Sequence, residues 1–145
     1  MSLQKDLREF IELLSEHEVR FVIVGAFAVA YHGYFRYTSD IDIFIDSSFE
    51  NASRLLRAVE QFGFADLKLT VEDFIKTDQV VQLGVAPNRI AVMTFLSGVD
   101  FDEAWSSRGL GELDGLKVPF ISRAMLKQNK RACGRLQDLA DLDYL

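Results

Sequence analysis

Residues 38–43 (TSDIDI) decide the fold, because acidic and branched apolar residues alternate there within one short segment. The alternation continues to Ile45, so the isoleucines share one face and Asp40, Asp42 and Phe44 share the other. A period of two predicts a β-strand with its isoleucines in a core. Both carboxylates would then project from one face, about 6 to 7 Å apart along the chain. We therefore expect the sheet to present two neighbouring acidic groups.

Two like charges at that spacing repel each other, and a divalent cation between them removes the repulsion. Hard oxygen ligands suit Mg²⁺, which keeps several waters and takes further ligands from substrate phosphates. Asp-x-Asp pairs are common, however, and for the motif alone a pair of solvated aspartates at the start of a strand is the more ordinary explanation. The surrounding sequence has to decide between the two.

The segment upstream of the aspartates favours a binding site. Residues 21–24 (FVIV) are apolar on both faces and predict a buried central strand. Gly25 and Ala26 follow directly and lead into a short apolar helix that Gly33 closes. Small residues at such a junction let backbone amides approach a phosphate, helped by the helix N-terminus. A tight strand–helix turn also requires glycine, so the junction indicates phosphate binding only in combination with the aspartates.

The rest of the chain alternates between helical and strand patterns, without repeats or linkers. Apolar spacing and capping residues predict helices near residues 3–14, 52–62 and 100–107, and a last helical region from Ser122 onward with a break near Gly134. Short strands are predicted at residues 67–69, 80–85, 89–94 and 116–118, with the middle two forming an antiparallel hairpin. These elements predict a single α/β domain over residues 1–145.

The composition limits which classes of protein this chain can belong to. With 49% hydrophobic residues the 145-residue chain can build a core, and its formal charge of −6 argues against a protein that coats nucleic acid by general attraction. The single cysteine, Cys133, excludes an internal disulfide. No apolar stretch is long enough to span a bilayer and no basic, apolar leader opens the sequence, so we expect a cytoplasmic protein without membrane contact.

Residues 24–26 (VGA), Gly33 and residues 38–42 (TSDID) together resemble the signature of minimal nucleotidyltransferases in the DNA polymerase β superfamily. In that family a Gly-Gly or Gly-Ser pair precedes a strand with paired aspartates, and Ala26 replaces the second member here. Residues 87–105 and 129–141 also resemble bacterial single-domain members related to abortive-infection and toxin–antitoxin nucleotidyltransferases. The resemblance covers most of the chain and implies a polymerase β-like fold, with a mixed, mostly antiparallel sheet flanked by helices.

The resemblance also implies roles for the residues around the aspartates. Asp40 and Asp42 would bind the magnesium ions that carry a nucleoside triphosphate such as ATP. Gly25 and Ala26 would contact its phosphates. The nucleotide-binding set then extends to the two residues before the acidic pair, Thr38 and Ser39.

A second group of implied site residues lies near the C-terminus. A lysine and an aspartate on the last helix face the site in the toxin-like branch, and the matching positions here are Lys130 and Asp138. Lys130 could equally be a surface lysine of a helix. Arg135 and Asp141 are further candidates of the same kind, although Asp141 could simply cap or pair within its helix.

One expected site residue is absent. Family members place a third carboxylate on a neighbouring strand, and the matching position is Ala91, which shares a face with Arg89 and Met93. In two-metal phosphoryl transfer one ion accompanies the triphosphate and the other activates the nucleophile. Losing this carboxylate should weaken mainly the second ion and degrade the site from two ions to one, unless Asp100 or Asp102 substitutes from the next loop.

The sequence therefore predicts a protein that transfers a nucleoside monophosphate from a magnesium-bound triphosphate to a hydroxyl and releases pyrophosphate, with transfer slow or absent. The acceptor (a small molecule, a protein side chain or an RNA end) is not encoded in the motifs, and a homodimer or a partner protein would complete the cleft. The main alternative is a catalytically silent nucleotide-binding module, regulatory or part of a toxin–antitoxin pair. A scaffold that binds no triphosphate is the third.

Overall fold

The computed structural model describes residues 5–33, 40–84 and 89–145, which contain a six-stranded sheet in the order β3-β4-β2-β1-β6-β5. The pairs β1–β2, β3–β4 and β5–β6 are antiparallel, and the pairs β1–β6 and β2–β4 are parallel. The sheet is therefore mixed and mostly antiparallel, as predicted. The strands are β1 (Phe21–Val24), β2 (Ile41–Ile45), β3 (Val80–Leu83), β4 (Ile90–Met93), β5 (Gly109–Leu113) and β6 (Leu116–Phe120).

Six α-helices accompany the sheet in the described part of the chain. Ser48, Asp100 and Ser122 cap three of them by accepting a hydrogen bond from the backbone amide three residues on. Gly134, with φ at 66°, ends one helix just before another begins, which confirms the predicted break. Among the described residues, no helix has the length and apolarity needed to cross a bilayer. The helices are α1 (Lys5–Glu16), α2 (Gly25–Tyr31), α3 (Phe49–Val59), α4 (Phe101–Ser106), α5 (Arg123–Cys133) and α6 (Leu136–Leu142).

The two faces of the sheet differ, because the strands alternate as predicted. On one face Ile23 lies opposite Ile43, and both are fully buried in the main core. On the other face Val24 lies opposite Asp42, while Phe44 contacts the ring of Phe101 in α4 edge-on, at 5.2 Å between ring centroids. The acidic position is thus built into a central strand, on the face opposite the isoleucine core.

Two short elements differ from the sequence-based predictions. Residues 67–69 were predicted as a strand, but Leu67 closes a 3-10 turn over Ala65–Leu67 and Lys68 after it is in the left-handed conformation, so the strand prediction was wrong. β5 was not predicted, because Gly109 and Gly111 interrupt the pattern of β-forming side chains. Glycine within a strand marks the close approach of another group, and here that group is Tyr31.

Tyr31 fixes the end of α2 against the sheet. Its ring stacks on Phe120 of β6, with 4.1 Å between centroids and an interplanar angle of 9°. A Cβ at position 111 would overlap Tyr31 and lie 3.0 Å from Phe120, whereas one at position 109 would lie 3.4 Å from Tyr31 Oη. A methyl group therefore fits at position 109 but not at position 111.

Gly111→Ala is therefore expected to lower the free energy of unfolding by about 1–3 kcal/mol, because the added methyl displaces the stacked rings. Gly109→Ala, on the same strand and face, is the matched control and should cost less than half as much. Urea denaturation followed by circular dichroism measures both. Equal costs for the two variants would show that the stacking of Tyr31 does not depend on the missing side chain.

Candidate functional site

An open pocket of about 440 Å³ lies where β1 ends and α2 begins, and four of the predicted site residues line it. These four are Gly25, Asp42, Lys130 and Arg135. Asp40, Ala26, Asp138 and Asp141 are not part of the lining, and Thr38 and Ser39 lie outside the described residues. The structure thus brings one residue of the acidic strand, Asp42, to the same place as Lys130 and Arg135 from the C-terminal part of the chain.

Gly25 makes room for the carboxylate of Asp42. Antiparallel pairing places Asp42 opposite Val24, and the chain turns into α2 at Gly25 with φ at 67°. A Cβ at Gly25 would overlap Asp42 Oδ2 and lie 3.0 Å from Asp42 Cγ. Glycine is therefore required both by the backbone conformation and by the neighbouring side chain. The sequence predicted a phosphate as the close neighbour of Gly25, and the structure shows a carboxylate there.

The folded protein disfavours the ionised form of Asp42. Burial, followed by the nearby charge of Asp40, raises the pKa of Asp42 to about 6. The positive charges of Lys130, Arg89 and Arg135 act in the opposite direction but do not restore the ordinary value. A further cation bound in the pocket would therefore stabilise the ionised carboxylate of Asp42.

Asp40 is bound by an arginine that sequence reasoning did not single out as a site residue. The Nη2 of Arg89 donates a hydrogen bond to Asp40 Oδ2 over 2.7 Å, and both side chains are partly exposed. The signal was present in the sequence, since Arg89 is the first residue of the strand predicted over residues 89–94, next to the acidic strand. Recognising the pair required the strand register, which a sequence alone does not provide.

Lys130 is buried and held by two aspartates from α6. Its Nζ lies 3.3 Å from Asp138 Oδ1 and 3.1 Å from Asp141 Oδ2, and all three side chains are at most 6% exposed. Arg135 also binds Asp138, with its Nε 2.6 Å from Oδ2. Burial opposes ionisation of Asp138, but the hydrogen bonds from Arg135 and Lys130 outweigh it and lower the pKa of Asp138. Asp138 and Asp141 therefore act on the pocket by fixing Lys130, which reaches the lining.

Ala91 lies beside Asp42, where the third carboxylate was expected. Parallel pairing of β2 and β4 places the two residues next to each other, so their side chains leave the same face of the sheet. On the other side of Ala91, the antiparallel partner in β3 is Gln82. Ala91 is thus the neighbour of Asp42 on β4, and its side chain supplies no oxygen.

Neither of the proposed substitutes for that carboxylate is in place. Asp100 caps α4, and Asp102 lies 3.7 Å from a nitrogen of Arg20. Both line a second pocket beside Phe44 instead of the Asp42 pocket. Over residues 5–33, 40–84 and 89–145, no three His, Cys, Asp or Glu side chains are arranged to hold a metal ion. Asp40 and Asp42 could hold one hard cation that takes its remaining ligands from phosphate and water, and the described residues place no third carboxylate with them.

A solved structure resembles this chain over nearly its whole length. It is the crystal structure of a "putative nucleotidyltransferase" from Thermotoga maritima, which aligns with a TM-score of 0.63 over 94% of this chain and 88% of that one. The chain has the nucleotidyltransferase fold. The two sequences are 20% identical, so the likeness establishes the fold alone. No protein-family model matches the sequence, and no curated protein does so either.

Asp42→Asn should stabilise the protein above pH 6 in the absence of divalent cations. The folded state raises the pKa of this carboxyl from 3.8 to about 6, so above pH 6 the folded protein carries a charge that the unfolded chain bears more easily. We expect the free energy of unfolding at pH 7.5 to rise by up to about 3 kcal/mol. The gain should shrink as the pH falls from 6 towards 4, where the native carboxyl becomes protonated.

Asp40→Asn is the control for this stability measurement. Arg89 already binds the carboxylate of Asp40, so removing the charge of Asp40 should not raise the free energy of unfolding. Denaturation with urea at pH 7.5 and pH 4.5 separates the variants. A less stable Asp42→Asn protein at pH 7.5 would contradict the view that this charge is unfavourable in the folded state.

Proposed function

We propose that this chain binds a magnesium-bound nucleoside triphosphate in the Asp42 pocket and slowly transfers the nucleoside monophosphate to a hydroxyl acceptor, releasing pyrophosphate. The observation that carries the proposal is the position of Asp42, on a central strand of a nucleotidyltransferase fold and at the wall of an open pocket. A volume of about 440 Å³ lies within the range of small-ligand sites. Lys130 and Arg135 line the same pocket and supply positive charge.

Asp42 and Asp40 are the residues that would hold the magnesium ion. The raised pKa of Asp42 supports this assignment, because a bound cation would stabilise a carboxylate whose ionised form is disfavoured by burial and by a neighbouring negative charge. When bound, the ion would neutralise phosphate charge and polarise the phosphoryl group. Gly25 contributes by leaving the Asp42 carboxylate enough space beside the backbone.

Lys130 is suited to orient the triphosphate. Two buried aspartates fix its ammonium group, so its position does not depend on the ligand. An ammonium held in advance binds a phosphate without the loss of side-chain entropy that a free lysine would incur. Its charge lowers the pKa of Asp42, which supports a location close to the same site.

Ala91 is the reason to expect slow transfer. A carboxylate at this position would lie beside Asp42, where it could accept the proton of the attacking hydroxyl and bind a second ion. Alanine can do neither, whereas triphosphate binding uses other residues. The same observation favours the alternative function, a nucleotide-binding module without transfer activity, and an activity measurement separates the two.

Triphosphate binding is the first test. Calorimetry with the magnesium complexes of ATP, GTP, CTP and UTP should detect binding of at least one, and Asp42→Ala should weaken it by about tenfold or more, as expected for loss of a metal ligand. Asp66→Ala, at an exposed position, is the matched control and should leave affinity unchanged. If no triphosphate binds, or if Asp42→Ala binds as well as the unmodified protein, the site is misplaced.

Transfer is the second test. With labelled triphosphates and a total RNA and protein extract, Ala91→Asp should label an acceptor about tenfold or more faster than the unmodified protein, because it restores a proton-accepting carboxylate. Ala91→Asn has nearly the same size without the charge and should not. Rapid labelling by the unmodified protein would contradict the impairment. If triphosphate binds but neither protein transfers, the silent module is supported instead.

A further inference from the structure

Arg89 lies close to the place of the missing carboxylate. Its backbone carbonyl accepts a hydrogen bond of 3.1 Å from the amide of Ile41, which fixes it beside the start of β2. Its guanidinium binds Asp40 over 2.7 Å. Ala91, two residues further along and therefore on the same face, is the neighbour of Asp42. The positive charge of Arg89 thus lies near Ala91, the position where the expected carboxylate is absent.

These two features change the local charge in the same direction. An aspartate at position 91 and a neutral residue at position 89 would give three neighbouring carboxylates with no guanidinium bound to them, a charge that would favour two divalent ions. In this chain Asp40, Asp42 and Arg89 together carry one net negative charge. Because repulsion between nearby like charges is what makes such a cluster costly, this charge favours a single divalent cation.

We propose that the Arg89 guanidinium takes the electrostatic place of one of the two metal ions, so that the chain binds a nucleoside triphosphate with one divalent cation at Asp42. This rests on the proposed function, since it concerns the same two carboxylates, Asp40 and Asp42. A guanidinium suits the role because it is always charged and its planar fork binds both carboxylate and phosphate. The Arg89 side chain remains 40% exposed while its guanidinium binds Asp40.

The number of bound cations tests the proposal directly on the unmodified protein. Mn²⁺ is counted by electron paramagnetic resonance in the presence of a saturating, non-hydrolysable triphosphate analogue. One bound Mn²⁺ per chain is expected, and two would overturn the role of Arg89 while leaving triphosphate binding intact. If the analogue does not bind, the proposed function fails and this inference fails with it.

Variants of Arg89 test the same role without a nucleotide. In Arg89→Gln the Asp40 carboxylate loses its guanidinium, so the free protein should bind Mn²⁺ about tenfold or more tightly, because a nearby repelling charge is gone. Arg89→Lys keeps the charge and should stay near the unmodified protein. Arg108→Gln, which removes an equal charge from above the Trp105 ring, is the matched control. Equal Mn²⁺ affinity in Arg89→Gln and Arg108→Gln would overturn the proposal.

A double substitution completes the test. Arg89→Gln combined with Ala91→Asp should bind two Mn²⁺ per chain with the analogue, whereas Ala91→Asp alone should remain near one because the guanidinium still repels the second ion. Circular dichroism checks that each variant folds. If Arg89→Gln does not fold, Arg89→Lys and the cation count on the unmodified protein still decide the question. Two ions bound by Ala91→Asp alone would show that Arg89 does not exclude the second.

Discussion

The close approach of the Asp42 carboxylate to Gly25 is the constraint on which the site depends. It arises because antiparallel pairing places Asp42 opposite the last residue of β1, immediately before the chain turns into α2. Any Cβ at Gly25 would overlap the carboxylate, and the positive φ there already disfavours other residues. Gly25 thus connects β1 to α2 and leaves space for the Asp42 carboxylate, which is partly buried and has a raised pKa.

Two separate sets of contacts hold positive charges near the Asp42 carboxylate. From the C-terminal side, Asp138 and Asp141 hold Lys130 in a buried position at the wall of the pocket. From the sheet, Arg89 binds Asp40 beside the small Ala91. In the proposed function, the first arrangement would place a fixed ammonium group beside an anionic ligand, and the second would reduce the number of cations that the carboxylates require. Under the proposed function, both arrangements would support binding of a triphosphate more than its efficient transfer.

Much of this arrangement could be predicted from the sequence, because it depends on local patterns. The alternation after Asp40 predicted the strand and its buried face, and the junction at Gly25 predicted the turn into α2. Ala91 could be placed by parity and by the resemblance to a known fold. The Arg89–Asp40 pair could not, because it depends on the register between strands that are distant in sequence. β5 was missed because its glycines accommodate Tyr31 from a remote helix, which no local pattern reveals.

The most direct test of the account is the location of a bound cation. Crystals grown with Mn²⁺ and a non-hydrolysable triphosphate analogue would give an anomalous difference map that shows where the ion lies. The account predicts one strong peak within coordination distance of an Asp42 oxygen, with the phosphates on the side of Lys130. A peak away from Asp42, or triphosphate bound in another part of the molecule, would contradict it.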